Sequence, residues 1–300
     1  MPDLKVTHHG GPCGRLGNGE ALKRRISQFI SLLILHSSWG PEAKWLCNPV
    51  LSCHSCVLSW FACPIGVLTQ FAGYHVFPFL AIGTVLLFGV LFGRLLCGWV
   101  CPFGLLQDLL HKIPSRKFAL PNWMRYIKYA ILAVMVLLLP YLLGGETMLS
   151  FCRICPAATI QASIPSMISE KFANAGTHAI VKLTIMAAVL ALAVFSARGF
   201  CKAFCPIGAI LAPLNLVSFW FIRMPEGACI ACKECDTACP MQGQPSSRIE
   251  KGIPSNRFAE CIVCHECQFG CPIHGKQGQE SDRTMAERGT GSAERGIGRS

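Results

Sequence analysis

Long apolar runs alternate along this chain with short, cysteine-bearing connections. VFPFLAIGTVLLFGVLFGRLL fills residues 76–96, AILAVMVLLLPYLL lies within 126–143, and IMAAVLALAVFSA lies within 179–197. Each run approaches the roughly 20 apolar residues that a helix needs to cross the hydrocarbon of a bilayer. ISQFISLLILHSSWG, at 26–40, is shorter and interrupted by Gln28 and His36, which makes it the weakest of four predicted spans. Beyond residue 223 the apolar periodicity stops. The pattern predicts an all-α membrane protein with four transmembrane helices as two repeated hairpins, followed by a small cysteine-rich domain.

The polar residues orient these spans. Arg94, Lys112, Arg116, Lys117, Arg125 and Lys128 surround the second connection with Asp108 as its single acid, whereas the first and third connections are nearly balanced. The positive-inside bias puts the second connection in the cytoplasm. Lys23–Arg25 joins it there as the flank of an uncleaved anchor, and both termini are expected to be cytoplasmic. The expected domains are a disordered tail at 1–21, a membrane domain at 22–222, a cytoplasmic domain at 223–274 and a disordered tail at 275–300. The chain is 52% hydrophobic and 14% charged, against about a quarter charged for soluble domains. Its net charge of +11 sits beside apolar runs, so it reads as topology, and nucleic acid is excluded as a partner.

The 19 cysteines carry the chemistry. CIACKECDTACP and CIVCHECQFGCP both read C-x2-C-x2-C-x3-C-P. In two-cluster ferredoxins the fourth cysteine of such a run serves the other cluster. That rule assigns Cys229, Cys232, Cys235 and Cys271 to one 4Fe–4S cluster. Cys261, Cys264, Cys267 and Cys239 go to a second. Zinc sites instead take two pairs of ligands per ion. His265, inside the second run, is expected to be a solvated loop residue, and 241–260 a linker.

A second repeat lies in the membrane domain. RLLCGWVCPFG ends one apolar run and RGFCKAFCPIG ends another. Pro102 and Pro206 are expected to open helices capped by Cys101 and Cys205, because proline suits a first helical position. Helix N-termini and nearby cations lower thiol pKa values, so Cys97, Cys101, Cys201 and Cys205 are candidate redox thiols at the cytoplasmic surface. They form a dithiol pair, or they hold a further metal or cluster; spacing does not choose. Cys53, Cys56 and Cys63 with Cys152 and Cys155 fall together on the outer side, with a structural disulfide as open as a reactive one. His75, Asp108 and His111 are candidates for exchanging protons with a quinone.

The paired C-x3-C-P segments, the four spans and the tandem cluster runs resemble the NapH-type membrane ferredoxins, relatives of NosR, MauN and the RdxA/CcoG polyferredoxins. The resemblance covers roughly 23–272. It implies a bacterial inner-membrane iron–sulfur protein that feeds electrons from the quinone pool to a periplasmic or cytoplasmic redox partner. The alternative is a maturation factor that handles a metal such as copper, or thiol redox equivalents, for a respiratory metalloenzyme.

Overall fold

The computed structural model describes residues 18–35, 46–51, 53, 59–145, 147, 149–169, 177–220, 222, 232–269 and 271. Cys13, Cys56, Cys229, the tail at 275–300 and most of the tail at 1–21 lie outside them. Among the described residues the structure is helical, and its one β-type pairing is an isolated bridge between Cys47 and Ala62. Helix α1 (Asn18–Leu35) begins inside the predicted tail. It is followed by α2 (Pro64–Gly73), α3 (Phe79–Phe92), α4 (Leu95–Trp99) and α5 (Pro102–Leu110).

One helix among the described residues, α6 (Asn122–Leu143), is long and apolar enough to cross a membrane. It opens as a 3-10 turn, continues as α-helix and passes into a π stretch at Leu132–Leu138 before Pro140. Proline has no N–H to donate and collides with the carbonyl four residues back; the wider π turn precedes that point. The 76–96 run is shorter as a helix than its composition suggests. Its helical part, α3, has 14 residues, a rise of about 21 Å against about 30 Å of hydrocarbon. Gly93 ends it at φ +60°, where a β-carbon would stand 2.3 Å from Asn215 Oδ1. Only glycine fits there.

After α6 come α7 (Phe151–Ile154) and α8, which runs unbroken through Pro156–Ala158, Thr159–Ser163 and Ile164–Ser169. Then follow α9 (Thr177–Phe195), α10 (Gly199–Ala203) and α11 (Pro206–Val217). The sequence repeat is thus a structural one: α3–α4–α5 answers α9–α10–α11. One apolar core joins both halves, with Ile65, Val85, Phe103, Val136, Phe200 and Leu211 at its centre.

Helix α1 is amphipathic with its polar side turned inward. Gln28 is fully buried and donates to the Gly98 carbonyl at 2.8 Å, while Ser27 and Ser31 donate to Trp99 and Val100 carbonyls. Leu22, Ile26, Phe29, Ile30, Leu33 and Ile34 are exposed. The cysteine-rich segment adds α12 (Glu234–Ala238), α13 (Ser246–Ile249) and α14 (Glu266–Phe269). Asn215 on α11 pins this segment through its amide, which donates to the carbonyls of Asn256 (3.1 Å) and Phe258 (2.8 Å).

Candidate metal centres

Four thiols from two distant motifs surround one hollow in the cysteine-rich segment. Cys261, Cys264 and Cys267 of the second run share its wall with Cys239 of the first. His265 lines the same hollow. It is half-buried rather than solvated, with Nδ1 2.8 Å from Gln268 Oε1 and its ring edge-on to Trp99. Val263 and His265 both hold positive φ. For a β-branched residue that is a costly conformation, kept where surroundings enforce it. Here it turns the Val263 N–H onto Cys261 Sγ at 3.4 Å, as Gly243 N–H meets Cys239 Sγ at 3.3 Å.

Among the described residues no three His, Cys, Asp or Glu side chains converge tightly enough for a single ion. Thiols spread around a hollow fit the wider body of an iron–sulfur cubane. Of the other assigned set, Cys235 lies on α12, which packs against α14, Cys232 is exposed just before it, and Cys271 is half-buried beyond α14.

The C-x3-C-P thiols converge as well. Cys97, Cys101, Cys201 and Cys205 act on one another electrostatically, although the two pairs are a hundred residues apart in sequence. Cys101 and Cys205 cap α5 and α11 with proline at the first position, as expected. The low thiol pKa values expected of them are not found. Burial pushes the Cys101 thiol up to about 12, aided by Cys201 and Cys97, and raises Cys205 in the same way. The site lies inside the core rather than at a surface, and desolvation outweighs helix ends and cations.

Sequence reading missed what encloses this site. Arg94 and Arg198 begin the two repeats, and both are buried. Each crosses to the other repeat: Arg198 lies over Gly104 and Arg94 over Gly208, so that a β-carbon at Gly208 would stand 2.9 Å from Arg94 Nη2. Arg94 pairs with Glu260 at 2.7 Å, and Lys128 shares that carboxylate. Arg198 pairs with Asp108 at 2.7 Å, and Arg24 bridges Asp108 and Glu266. Gln107 Nε2 donates to Cys201 Sγ at 3.1 Å. The signal was present in the sequence as R-x2-C-x3-C-P at both places, with arginine held constant alongside the cysteines.

Two of the proton candidates titrate away from their ordinary values. Burial opposes ionisation of Asp108, yet Arg198, Arg24 and Arg25 outweigh it and hold its carboxyl below the ordinary range. Burial and Lys117 together lower His111. Near neutral pH Asp108 stays charged and His111 uncharged. His75 packs against Tyr141, the rings tilted and their centroids 4.4 Å apart.

The C-G-W-V-C-P segment also receives the cysteine-rich segment. A β-carbon on Gly98 would lie 2.2 Å from the Ile262 carbonyl oxygen, and Trp99 Nε1 donates to the Val263 carbonyl at 2.9 Å. Cys97 and Cys239 both pack against the buried cluster of Met241, Ile262 and Cys264. Cys97 of the inner set therefore borders the apolar cluster that holds Cys264.

Cys63 and Cys155 cap α2 and α8, each again followed by proline. Among the described cysteines none forms a disulfide.

A family profile described as a 4Fe-4S binding domain matches residues 74–121 and 179–223. These two stretches contain the C-x3-C-P thiols and exclude the tandem runs. An uncharacterised protein of Methanocaldococcus jannaschii is 28% identical over 54% of this chain and 65% of its own length. The putative electron transport protein YccM of Escherichia coli is 25% identical over 58% of the chain and 49% of its own. Protein NirI of Paracoccus denitrificans is 29% identical over 74% of the chain and 28% of its own. The chain thus spans two-thirds or less of each of these relatives. No solved structure matches.

Proposed function

As a member of the ferredoxin-type family related to NosR and MauN, this chain, we propose, is a membrane-bound iron–sulfur protein that passes electrons between the quinone pool and a partner redox protein. The observation that carries the reading is the shared hollow, where Cys239 joins Cys261, Cys264 and Cys267. A fourth cysteine that reaches the thiols of the other run is what a two-cluster ferredoxin requires. Cys229, Cys232, Cys235 and Cys271 are the ligands of its companion. The electron transport named in the YccM relative agrees with this reading.

Cys97, Cys101, Cys201 and Cys205 hold a third group of the same class. Support comes from the profile that covers both pairs and from their convergence. Such clusters, when bound, take up and release single electrons. The chain's own residues set the conditions. Arg94 and Arg198 place two buried positive charges beside four thiols, which favours the more negative, reduced state. Gln107 orients Cys201, and Trp99 fixes the cluster-motif loop against Cys97.

Membrane embedding is part of the same proposal, with four spans and both termini cytoplasmic. It is supported by the apolar α6 and by the outward apolar face of α1, since contiguous exposed apolar surface marks an interaction site. Low-temperature EPR of anaerobic membranes holding this chain tests the reading. Reduced iron–sulfur signals are expected on adding quinol. Signals that develop only with dithionite would remove the quinone pool as donor and favour the maturation reading, in which copper or another metal binds the C-x3-C-P thiols.

A further inference from the structure

A cleft opens where the start of α6 meets α10 and the cysteine-rich segment. Leu120, Asn122, Met124, Arg125, Lys202 and Gln242 line it, and Glu260 is the one carboxylate on its wall. Lys202 reaches it from α10. This lysine is 7% exposed, and among the described residues its ammonium has neither a hydrogen-bond acceptor nor a counter-ion. A buried charge is costly unless it is paired. The carboxylate of the cleft does not pair it, because Glu260 is already taken by Arg94 at 2.7 Å and by Lys128. Lys202 is thus a buried cation that lines an open cleft without a partner of its own.

Two further features add positive charge. Arg125 is half-buried, donates to Asn122 Oδ1 and stands over the Phe258 ring at 5.6 Å. Asn122 opens α6, and the first N–H groups of a helix carry partial positive charge that favours an anion. The position along α6 narrows the anion. Trp123 and Tyr126 are exposed at this end, and the exposed apolar residues Val134, Leu137 and Leu138 follow along the helix. Exposed Trp and Tyr of this kind gather at the level of lipid headgroups. With α6 embedded as proposed, the cleft stands in the cytoplasmic headgroup layer, where basic clefts between helices take acidic headgroups. A quinol would instead need a free base for its protons, and Glu260 is occupied.

We infer that this cleft binds the phosphate of an anionic phospholipid, held by Lys202 and Arg125 at the start of α6. One wall belongs to the membrane domain and another to Met241 and Gln242, which follow Cys239 in the first cluster run. A bound headgroup therefore ties the cysteine-rich segment to the bilayer surface. The inference rests on the proposed embedding of α6 and on no part of the proposed electron path.

The test uses the full chain purified without oxygen and stripped of lipid in detergent. Native mass spectrometry follows its titration with phosphatidylglycerol, phosphatidylcholine or inorganic phosphate. A single tightly held phosphatidylglycerol per chain is expected, with phosphatidylcholine weaker. Lys202→Met should weaken it about tenfold, the loss of one charge-assisted hydrogen bond. Lys112→Met, at an exposed lysine, should leave it within about twofold. Equal affinity in the wild type and Lys202→Met would overturn the inference. Inorganic phosphate that binds as well as the lipid would overturn the lipid source, and a quinone analogue that displaces the lipid would make the cleft a quinone site instead. Photo-crosslinking needs no variant: phosphatidylglycerol with a diazirine in its headgroup should label 120–125 and 241–242. Labels confined to other segments would refute the site. Clusters that quinol fails to reduce, with lipid binding intact, would sink the proposed electron path alone.

Discussion

The two inner thiol segments, 97–104 and 201–208, share a backbone and differ in what they meet. Both run from a short helix through a capping cysteine into a proline-led helix. After the first cysteine one repeat has glycine and the other lysine. Gly98 lets the Ile262 carbonyl approach, and Trp99 anchors Val263, so this repeat receives the second cluster run. Lys202 is buried and lies near Cys239 and Cys201, towards the first run; burial lowers its pKa to about 8. Repetition supplies a symmetric thiol site, and the departures from repetition dock an asymmetric module on it.

The charges differ in the same way. Arg94 answers to Glu260, which belongs to the docked segment, whereas Arg198 answers to Asp108, inside its own domain. Breaking this asymmetry should give the largest effect. Glu260→Ala leaves Arg94 and Lys128 buried without a counter-charge, at about 3–5 kcal/mol. Thermal unfolding in detergent should show it together with loss of tandem-cluster EPR. Gly98→Ala drives a β-carbon against backbone and should cost about 1–3 kcal/mol. Limited proteolysis should then cut within 232–271. Trp99→Phe removes one hydrogen bond and keeps the ring, so a loss of about 1 kcal/mol is expected in the same unfolding assay.

The smallest effect is a pH dependence. Asp108 titrates below its ordinary value, so the Arg198 ion pair contributes fully above the usual carboxylate pKa of about 4 and is lost as pH falls through the lower folded value. Asp108→Asn should flatten that acid limb and leave the midpoint near pH 7 lower but insensitive to further acidification from this source. An unchanged acid limb in the variant would show that other carboxylates govern it.

Local chemistry was legible in the sequence. The tandem run spacing and the Cys-Pro caps depend on a few adjacent residues, and the caps stand as expected at Cys101 and Cys205. Helix extent was less legible. Composition carried the second run to residue 96, but Gly93 stops its helix because Asn215, over a hundred residues away, occupies the space. Glu260 looked like linker, since nothing near it in sequence announces Arg94 or Lys128. The thiol pKa values went the other way from expectation because burial is a tertiary property.

The crossed arginines also set an order of assembly. Gly104 waits for Arg198, whereas Arg94 is already made when Gly208 arrives, so the first repeat's half of the site closes only after the second repeat is synthesised. At roughly 5–20 residues per second of synthesis, the first pair of thiols stands open for several seconds before its partner arm exists. Glu260 then arrives last to neutralise Arg94. Access to the inner thiols therefore has a window bounded by translation, and a chain stalled before residue 260 would leave Cys97 without the segment that packs on it.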